Sequence, residues 1–420
     1  MQKTTTSSYW SLIWRRFKQN RGARWSFRVF VVLLWIAVLN PFLVGDVPIY
    51  TKTNGESHFP IFQKYLIDLG LSQKTKPFLD NTYWHEQKFD QAIYPIIPYS
   101  STYRDTKNVH FKSPLGPQNG NEAWHWFGTD NLGRDVAAGI IEGVQVALKV
   151  GLFSMFIATI MGLFMGGLAG YFGDDGMKTS LPTIILNILA FFAAIHFAFI
   201  SRSYQLYAKE ASGEFLKSIG IFLGIFLLAN LLAKGLQKLT NASKTITIPL
   251  DLLVMRLIEV LNSVPKLLLI IAFAAIFKTK TLWPIILIIG FFGWTGVARF
   301  FRAELLRVRN MPYIQAAKAM GFSDWRILFK HALPNAIGPV MILVAFGIAG
   351  AIVTEATLSF LGIGLDGSTQ VTWGTLLKNA RGAEANWWMA IFPGFAIFIT
   401  VLIFNLIGEG LKQAVDAKDI

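Results

Sequence analysis

Seven stretches of this 420-residue chain run for 16 to 24 residues without Asp, Glu, Lys or Arg: Val29–Gly45, Val150–Gly173, Thr179–Ser201, Ser218–Ala233, Thr281–Ala298, Ala332–Thr354 and Ala385–Gly408. A hydrocarbon core of about 30 Å takes about 20 residues of α-helix to cross. Within it only helices and closed barrels satisfy every backbone N–H and C=O. None of the windows alternates with the period of a strand, so helices are expected. An eighth span is read at Leu252–Phe277, although Arg256, Glu259 and Lys266 interrupt it. The following window begins just past Lys278 and Lys280 and needs a segment that returns the chain. Composition agrees with a membrane protein: 53% of residues are hydrophobic and 15% charged, against about 25% charged in an ordinary soluble domain. Aromatic content of 14% argues against disorder, and the absence of cysteine excludes a disulfide scaffold and Cys-ligated zinc.

The net charge of +14 gains meaning from its placement. Residues 1–28 form an arm with Lys3, Arg15, Arg16, Lys18, Arg21, Arg24 and Arg28 and no acid, which the positive-inside rule puts in the cytoplasm. The first span, 29–45, lacks an A-x-A cleavage site and reads as a retained anchor. By alternation the segment 46–144 lies outside as an expanded external loop, rich in Trp, Tyr and Phe and expected to pack into a small subdomain. Inside again are Lys234, Lys238 and Lys244, and later Arg299, Arg302, Arg307, Arg309, Lys318, Arg326 and Lys330 against only Glu304 and Asp324. The C-terminus is also expected inside. Topology thus accounts for the basic surplus, and no nucleic-acid recognition module accompanies it.

Several motifs fail in context. Gly362, Gly364 and Gly367 spell GxGxxG but follow a membrane span instead of a strand, so they make no dinucleotide site. No phosphate-binding GxxxxGK[ST] occurs. The six histidines, at 58, 85, 110, 125, 196 and 331, lack metal-ligand spacing, and no Ser, His and Asp set stands out. No cofactor, metal or catalytic residue is expected. Gly162, Gly166 and Gly170 share one helix face and permit close helix packing, within this chain or against a second membrane subunit.

About 40 residues, 299–335, join two spans where a tight turn would suffice. Pro312 can begin a helix, Tyr313 to Met320 favours one, Gly321 suits a left-handed C-terminal position, and Ser323 or Asp324 can cap a second, basic amphipathic helix at the membrane surface. Such a unit is either an interfacial anchor or a knob for a cytoplasmic protein, with Ala316 and Ala317 allowing close approach.

Gln315-Ala316-Ala317, Gly321 and Leu333-Pro334 resemble the EAA loop, the coupling helix of ATP-binding-cassette importer permeases, with Gln315 in place of the usual Glu and His331 in place of an aliphatic residue. The stretch GTDNLGRDV, with Gly128, Thr129, Asp130, Gly133, Arg134 and Asp135, is similar to the oligopeptide and dipeptide branch, specifically its second ("C") membrane subunit. TEATLSFLGIG at 354–364 matches the same branch. The resemblance implies an all-α polytopic membrane protein with the type I (MetI-like) importer permease fold and about eight transmembrane helices. It assigns 145–178 and 249–420 to the permease core and 179–248 to an inserted pair of spans, whose even number leaves the downstream topology unchanged. It also implies a role as half of a translocation pore in the bacterial inner membrane, for oligopeptides or dipeptides. The expected partners are a second permease, two cytoplasmic ATP-binding subunits, an extracytoplasmic substrate-binding protein and membrane lipid. ATP hydrolysis would fall to the partner subunits, and the chain itself would be no enzyme.

Ionisable groups within spans mark functional candidates. Glu355 shows no local partner in sequence and is a candidate for the pore or an intersubunit contact. Glu259 pairs naturally with Arg256 three residues earlier, and Lys266 lies either on the path or at the interface. The competing class is an ion-gradient-driven secondary transporter using Glu259, Glu355 and Lys266 as a relay, which would need no coupling loop.

Overall fold

The computed structural model describes residues 9–416 apart from 54, 69–83, 85–88, 121–122, 203, 205–210, 241–244, 277–280, 366, 368–369 and 383–384. Lys3, His85, Lys244, Lys278 and Lys280 therefore lie outside the described residues. The chain forms two compact units, residues 1–166 with 258–420, and residues 167–257.

In the first unit, helix α1 (Tyr9–Gln19) precedes α2 (Arg21–Val38), which Asn20 caps by accepting from the Ala23 N–H at 3.0 Å. The helix thus begins eight residues before the expected first span and stops before Asn40-Pro41, where the proline ring opposes continuation. A single turn, α3 (Asn40–Leu43), follows. Strands β1 (Tyr50–Thr53), β2 (Glu56–His58) and β3 (Gln91–Ile93) form an antiparallel sheet in the order β2-β1-β3. Helix α4 (Pro60–Asp68) accompanies it, and Val47, Ile61 and Trp84 pack as its apolar core. Helix α5 (Val136–Gly167) starts nine residues earlier than the boundary at 145 expected from sequence, because the Asp135 carboxylate accepts from the Ala138 N–H at 2.6 Å.

The second unit holds a helical hairpin of α6 (Leu181–Ile195) and α7 (Ala211–Thr240), flanked by the paired strands β4 (Lys178–Ser180) and β5 (Thr245–Thr247). The Asn187 and Asn230 amides hydrogen-bond each other across the hairpin, at 3.1 and 3.3 Å. Gln237 reaches the Thr183 hydroxyl at 2.8 Å.

Helix α8 (Leu250–Asn262) and α9 (Lys266–Ile276) meet at a bend of 80°. The expected uninterrupted span at 252–277 is therefore two pieces of 13 and 11 residues. At 1.5 Å per residue each reaches about 20 Å or less, short of a full crossing. Pro265 supplies the cause, since it has no N–H for the ladder and disfavours helical geometry at Val264. Then come α10 (Leu282–Val308), α11 (Pro312–Ala319) and α12 (Asp324–Ile327). After them lie α13 (Leu333–Leu361), α14 (Trp373–Asn379) and α15 (Trp388–Asp416).

Among the described residues six helices are long and apolar enough to cross a membrane, or seven with the bent pair, where sequence suggests about eight. The difference is α2, whose 18 residues include Arg21, Arg24 and Arg28. The first unit is held by α10, where Ile286, Ile289 and Phe292 pack with Val146, Val150 and Leu358. A Cβ on Gly162 would meet Val297 Cβ at 2.5 Å and one on Gly166 would meet the Ala298 carbonyl at 2.5 Å, so these two glycines let α5 and α10 touch within one chain.

Candidate functional site

Three groups of residues stand out: a knob in the loop at 299–335, a groove that Lys266 of the bent pair lines, and a buckle at the start of α5.

The knob is α11 and the turn after it. Pro312 occupies the first helical turn, and Ile314 and Ala317 point inward, 0% and 2% exposed. Gln315, Ala316, Lys318 and Ala319 face outward. Only one of the two alanines thus offers a surface for close approach; Ala317 belongs to the packing beneath. The Gln315 amide donates to the Arg309 carbonyl at 3.1 Å, bracing the helix against the end of α10. Gly321 has φ +76°, and a Cβ there would meet nothing, so conformation and not crowding selects glycine. The second, separate surface helix expected from sequence is absent in that form. Ser323 stands at the N-cap without a side-chain bond, and α12 continues through a π-helical turn (Leu328–Ala332) into α13, one helical run from Asp324 to Leu361. Leu333 and Pro334 lie inside this run, at the start of α13.

The groove follows the break between α8 and α9. Lys266, exposed at the first position of α9, lines a cavity of about 340 Å³ with Gly293, Gly296, Gly347, Gly350 and Thr354. Gly296 and Gly350 have open space where a Cβ would stand. Asn262, at the end of α8, accepts from the Thr295 hydroxyl at 3.4 Å. Glu259 and Arg256 are exposed on α8. Glu355 departs from expectation: it is 2% exposed, and its carboxylate accepts from the Ser359 hydroxyl at 2.7 Å and from the Thr372 hydroxyl. It fastens the loop before α14 to α13 within the chain and faces no groove, whereas its neighbour Thr354 does. Sequence hid this because both hydroxyl partners read as ordinary span or loop residues.

The buckle is GTDNLGRDV. Gly128 (φ +76°) sits where a Cβ would meet the Lys112 carbonyl at 2.5 Å, and Gly133 (φ +77°) where it would meet the Asp105 carbonyl at 2.1 Å. Thr129 is buried; its hydroxyl donates to the Asn108 carbonyl at 2.7 Å, and its own carbonyl accepts from the Trp388 indole at 3.2 Å. Asp130 pairs with Arg134 at 2.7 Å, and Arg134 reaches on to the Gly367 carbonyl at 2.6 Å. Asp135 accepts from His125 Nδ1 at 2.7 Å, while His125 Nε2 lies 3.2 Å from Asp105. Burial by itself would lower the His125 pKa, but the Asp135 and Asp105 bonds and charges outweigh it and hold the value above that of an ordinary histidine. For Asp105 burial works upward, and the bonds from Asn108, the Lys107 N–H and His125 bring it below the usual carboxylate range. His125 carries no signal in the sequence, since spacing alone gives it no partner. Gly362 (φ +81°) ends α13 in left-handed geometry, which accounts for the first glycine of the rejected GxGxxG. Among the described residues no group of His, Asp and Glu has metal-site geometry.

Residues 246–418 match the family model of the inner membrane component of binding-protein-dependent transport systems. Residues 8–59 match the N-terminal transmembrane domain of oligopeptide transport permease C. The chain belongs to this permease family. An inner membrane ABC transporter permease of Escherichia coli (strain K12) is 26% identical over 96% of this chain and 95% of its own length. A dipeptide transport system permease of Alkalihalophilus pseudofirmus is 28% identical over 78% and 81%. A glutathione transport system permease of Pectobacterium atrosepticum is 29% identical over 71% and 74%. The permease is thus a multi-pass membrane component of an ABC importer, of the oligopeptide and dipeptide branch, and the gradient-driven alternative is not favoured.

Proposed function

We propose that this permease forms one half of the translocation pore of an importer for short peptides, pairs with a second permease, and is driven by two cytoplasmic ATP-binding subunits that dock on residues 312–321. An extracytoplasmic binding protein delivers the solute to the end bearing residues 46–135. The observation that carries the reading is the knob: a short helix with an outward Ala316, braced by Gln315 and closed by left-handed Gly321, just ahead of a helical run that continues into a membrane-crossing helix. A push on the knob passes across the turn at 320–323 to the run from Asp324, which reaches Thr354 in the groove. Lys266 in the same groove suits the carboxylate of a peptide. Relatives named for dipeptide and glutathione transport, and one from Agrobacterium fabrum named for peptidoglycan transport and matched over 96% of this chain, share an amide-linked solute.

The topology proposed from charge has support in packing. Arg134 contacts Gly367, which keeps the start of α5 and the loop before α14 on one side. Asn20 contacts Gln413 at 2.7 Å, which keeps the basic arm and the C-terminal helix end together on the other. Both termini are then cytoplasmic.

Ala316→Trp tests the reading. The site is exposed, so membrane insertion is unaffected, whereas copurification of the ATP-binding subunits and peptide uptake are both lost. Uptake that persists without any ATPase in liposomes overturns it.

A further inference from the structure

At the outer end of α5, the residues that follow α2 together with α5 enclose a polar cavity of about 420 Å³. It contains two carboxylates, Asp46 and Glu142, one cation, Lys64, and the amides of Asn40 and Gln145. Glu142 accepts from the Ser101 hydroxyl. Asn40 Oδ1 is buried and has no hydrogen-bond partner, a costly arrangement for an acceptor unless a donor arrives from outside the chain.

Next to the cavity lies a groove of about 670 Å³ between α2 and α5, with Gln145 lining both. The Gln145 amide donates to the Ala37 carbonyl at 3.1 Å and ties the two helices at that level. Below it the walls are Leu34, Val38, Leu152, Phe153 and Phe156, with Lys149 as the one charged group. Glu142 and Lys149 are seven residues apart, two turns along one helix face and about 10 Å in depth. From the outer end inward the order is carboxylate, ammonium, hydrocarbon.

That order is the complement of a phospholipid whose headgroup ends in a primary ammonium. We propose that the site binds phosphatidylethanolamine. Its ammonium donates to Glu142 and to Asn40 Oδ1, its phosphate pairs with Lys149, and one acyl chain lies between α2 and α5. On the topology proposed above this is the outer leaflet, although the chemistry of the site does not depend on the solute transported. A choline headgroup has no N–H to give Asn40. A glycerol headgroup brings no ammonium, leaving Lys64 as the one cation for the two carboxylates of the cavity. The bound lipid would weld α2, the segment that differs most from the other spans in polarity, to the permease core.

The test uses the assembled transporter, purified from membranes containing ethanolamine and glycerol phospholipids and washed in detergent with added phosphatidylcholine. Lipid retained per complex is measured by mass spectrometry. Phosphatidylethanolamine is expected to stay at about one per complex while the others wash out, and Glu142→Gln or Lys149→Met to lower its retention about tenfold, as loss of a charged hydrogen bond implies. Val38→Trp fills the groove from an exposed position and is expected to displace the lipid without touching the headgroup residues; it decides the matter if the polar variants do not fold. Equal retention of all three lipids, or retention unchanged by Val38→Trp, overturns the proposal. So does a disulfide from Phe156→Cys, in this otherwise cysteine-free chain, to a cysteine in the second permease, because that outcome makes the groove a seat for a partner helix.

Discussion

His125 has a carboxylate at each ring nitrogen, 2.7 and 3.2 Å away, with no exposure of its own and Tyr99 stacked at 4.4 Å. Both nitrogens can donate only when the ring is an imidazolium, and the two acids hold it so. Its raised pKa means that the stability it contributes is fully present below the ordinary histidine value and is lost as pH rises through the folded value. For Asp105, whose pKa is lowered, the contribution is present above the ordinary carboxylate value and is lost as pH falls through the folded one. Hydrogen-exchange protection of residues 105–135, corrected for intrinsic rates, is therefore expected to fall as pH rises above the ordinary histidine value; a flat profile there contradicts the charged assignment. His125→Gln leaves buried Asp135 and half-buried Asp105 without their shared cation and is expected to cost about 3 kcal/mol, read as a lowered thermal midpoint of the purified permease. Gly133→Ala acts by a different route, since its Cβ would stand 2.1 Å from the Asp105 carbonyl at φ +77°. It should reduce the yield of folded protein at every pH, and a pH-dependent yield would point back to His125.

The helix that follows the knob is one element, because the run from Asp324 to Leu361 has no break. Phe329 is exposed within its π-helical turn. Phe329→Pro puts a proline in a helix interior, at a cost of about 3 kcal/mol, and bends the run. The ATP-binding subunits are expected to copurify as before while solute no longer stimulates their ATPase. Retained stimulation would mean that movement travels by another element. What sequence disclosed at this scale follows the range of the interaction. The helix at 312–319 and the left-handed Gly321 were legible because capping and turn chemistry are local. The continuity of α12 with α13 was not: Ser323 and Asp324 do start a helix, but no local signal says that it runs on through Leu328–Ala332 into α13. Pro265 was visible, yet hydropathy averages across a break and reports 252–277 as one span. Within GTDNLGRDV the residues were recognisable, but their partners Asp105, Gly367 and Trp388 lie up to 259 positions away and leave no local trace. Glu355 was misassigned for the same reason, its Thr372 partner being supplied by the loop before α14.

At the scale of the whole chain, the second unit has its own closure. Strands β4 and β5 pair in register, Lys178 with Thr247 and Ser180 with Thr245, so the chain enters and leaves the α6/α7 hairpin at the same point. Asp174 also accepts from the Leu252 N–H at 3.0 Å, joining the two strand ends to the start of α8. Two antiparallel strands meeting in register are what a two-residue turn can connect, with Asn-Gly as the preferred sequence. Replacing residues 181–244 by Asn-Gly therefore removes an even number of crossings, leaves the strand pair as a hairpin and preserves the direction in which α8 starts. The shortened permease is expected to insert with both termini on their original side, judged by cysteine accessibility at Gln315→Cys and Leu115→Cys, two exposed positions on opposite sides of the proposed topology. It is also expected to copurify with the ATP-binding subunits, since the knob is untouched. Peptide uptake then separates the two roles open to the hairpin. Uptake near the parental rate leaves α6 and α7 as lipid-facing packing, as the low burial of their spans, 17% and 11%, suggests. Loss of uptake with assembly intact makes the hairpin a contact for an accessory subunit, and inverted or failed insertion contradicts the even-span topology itself.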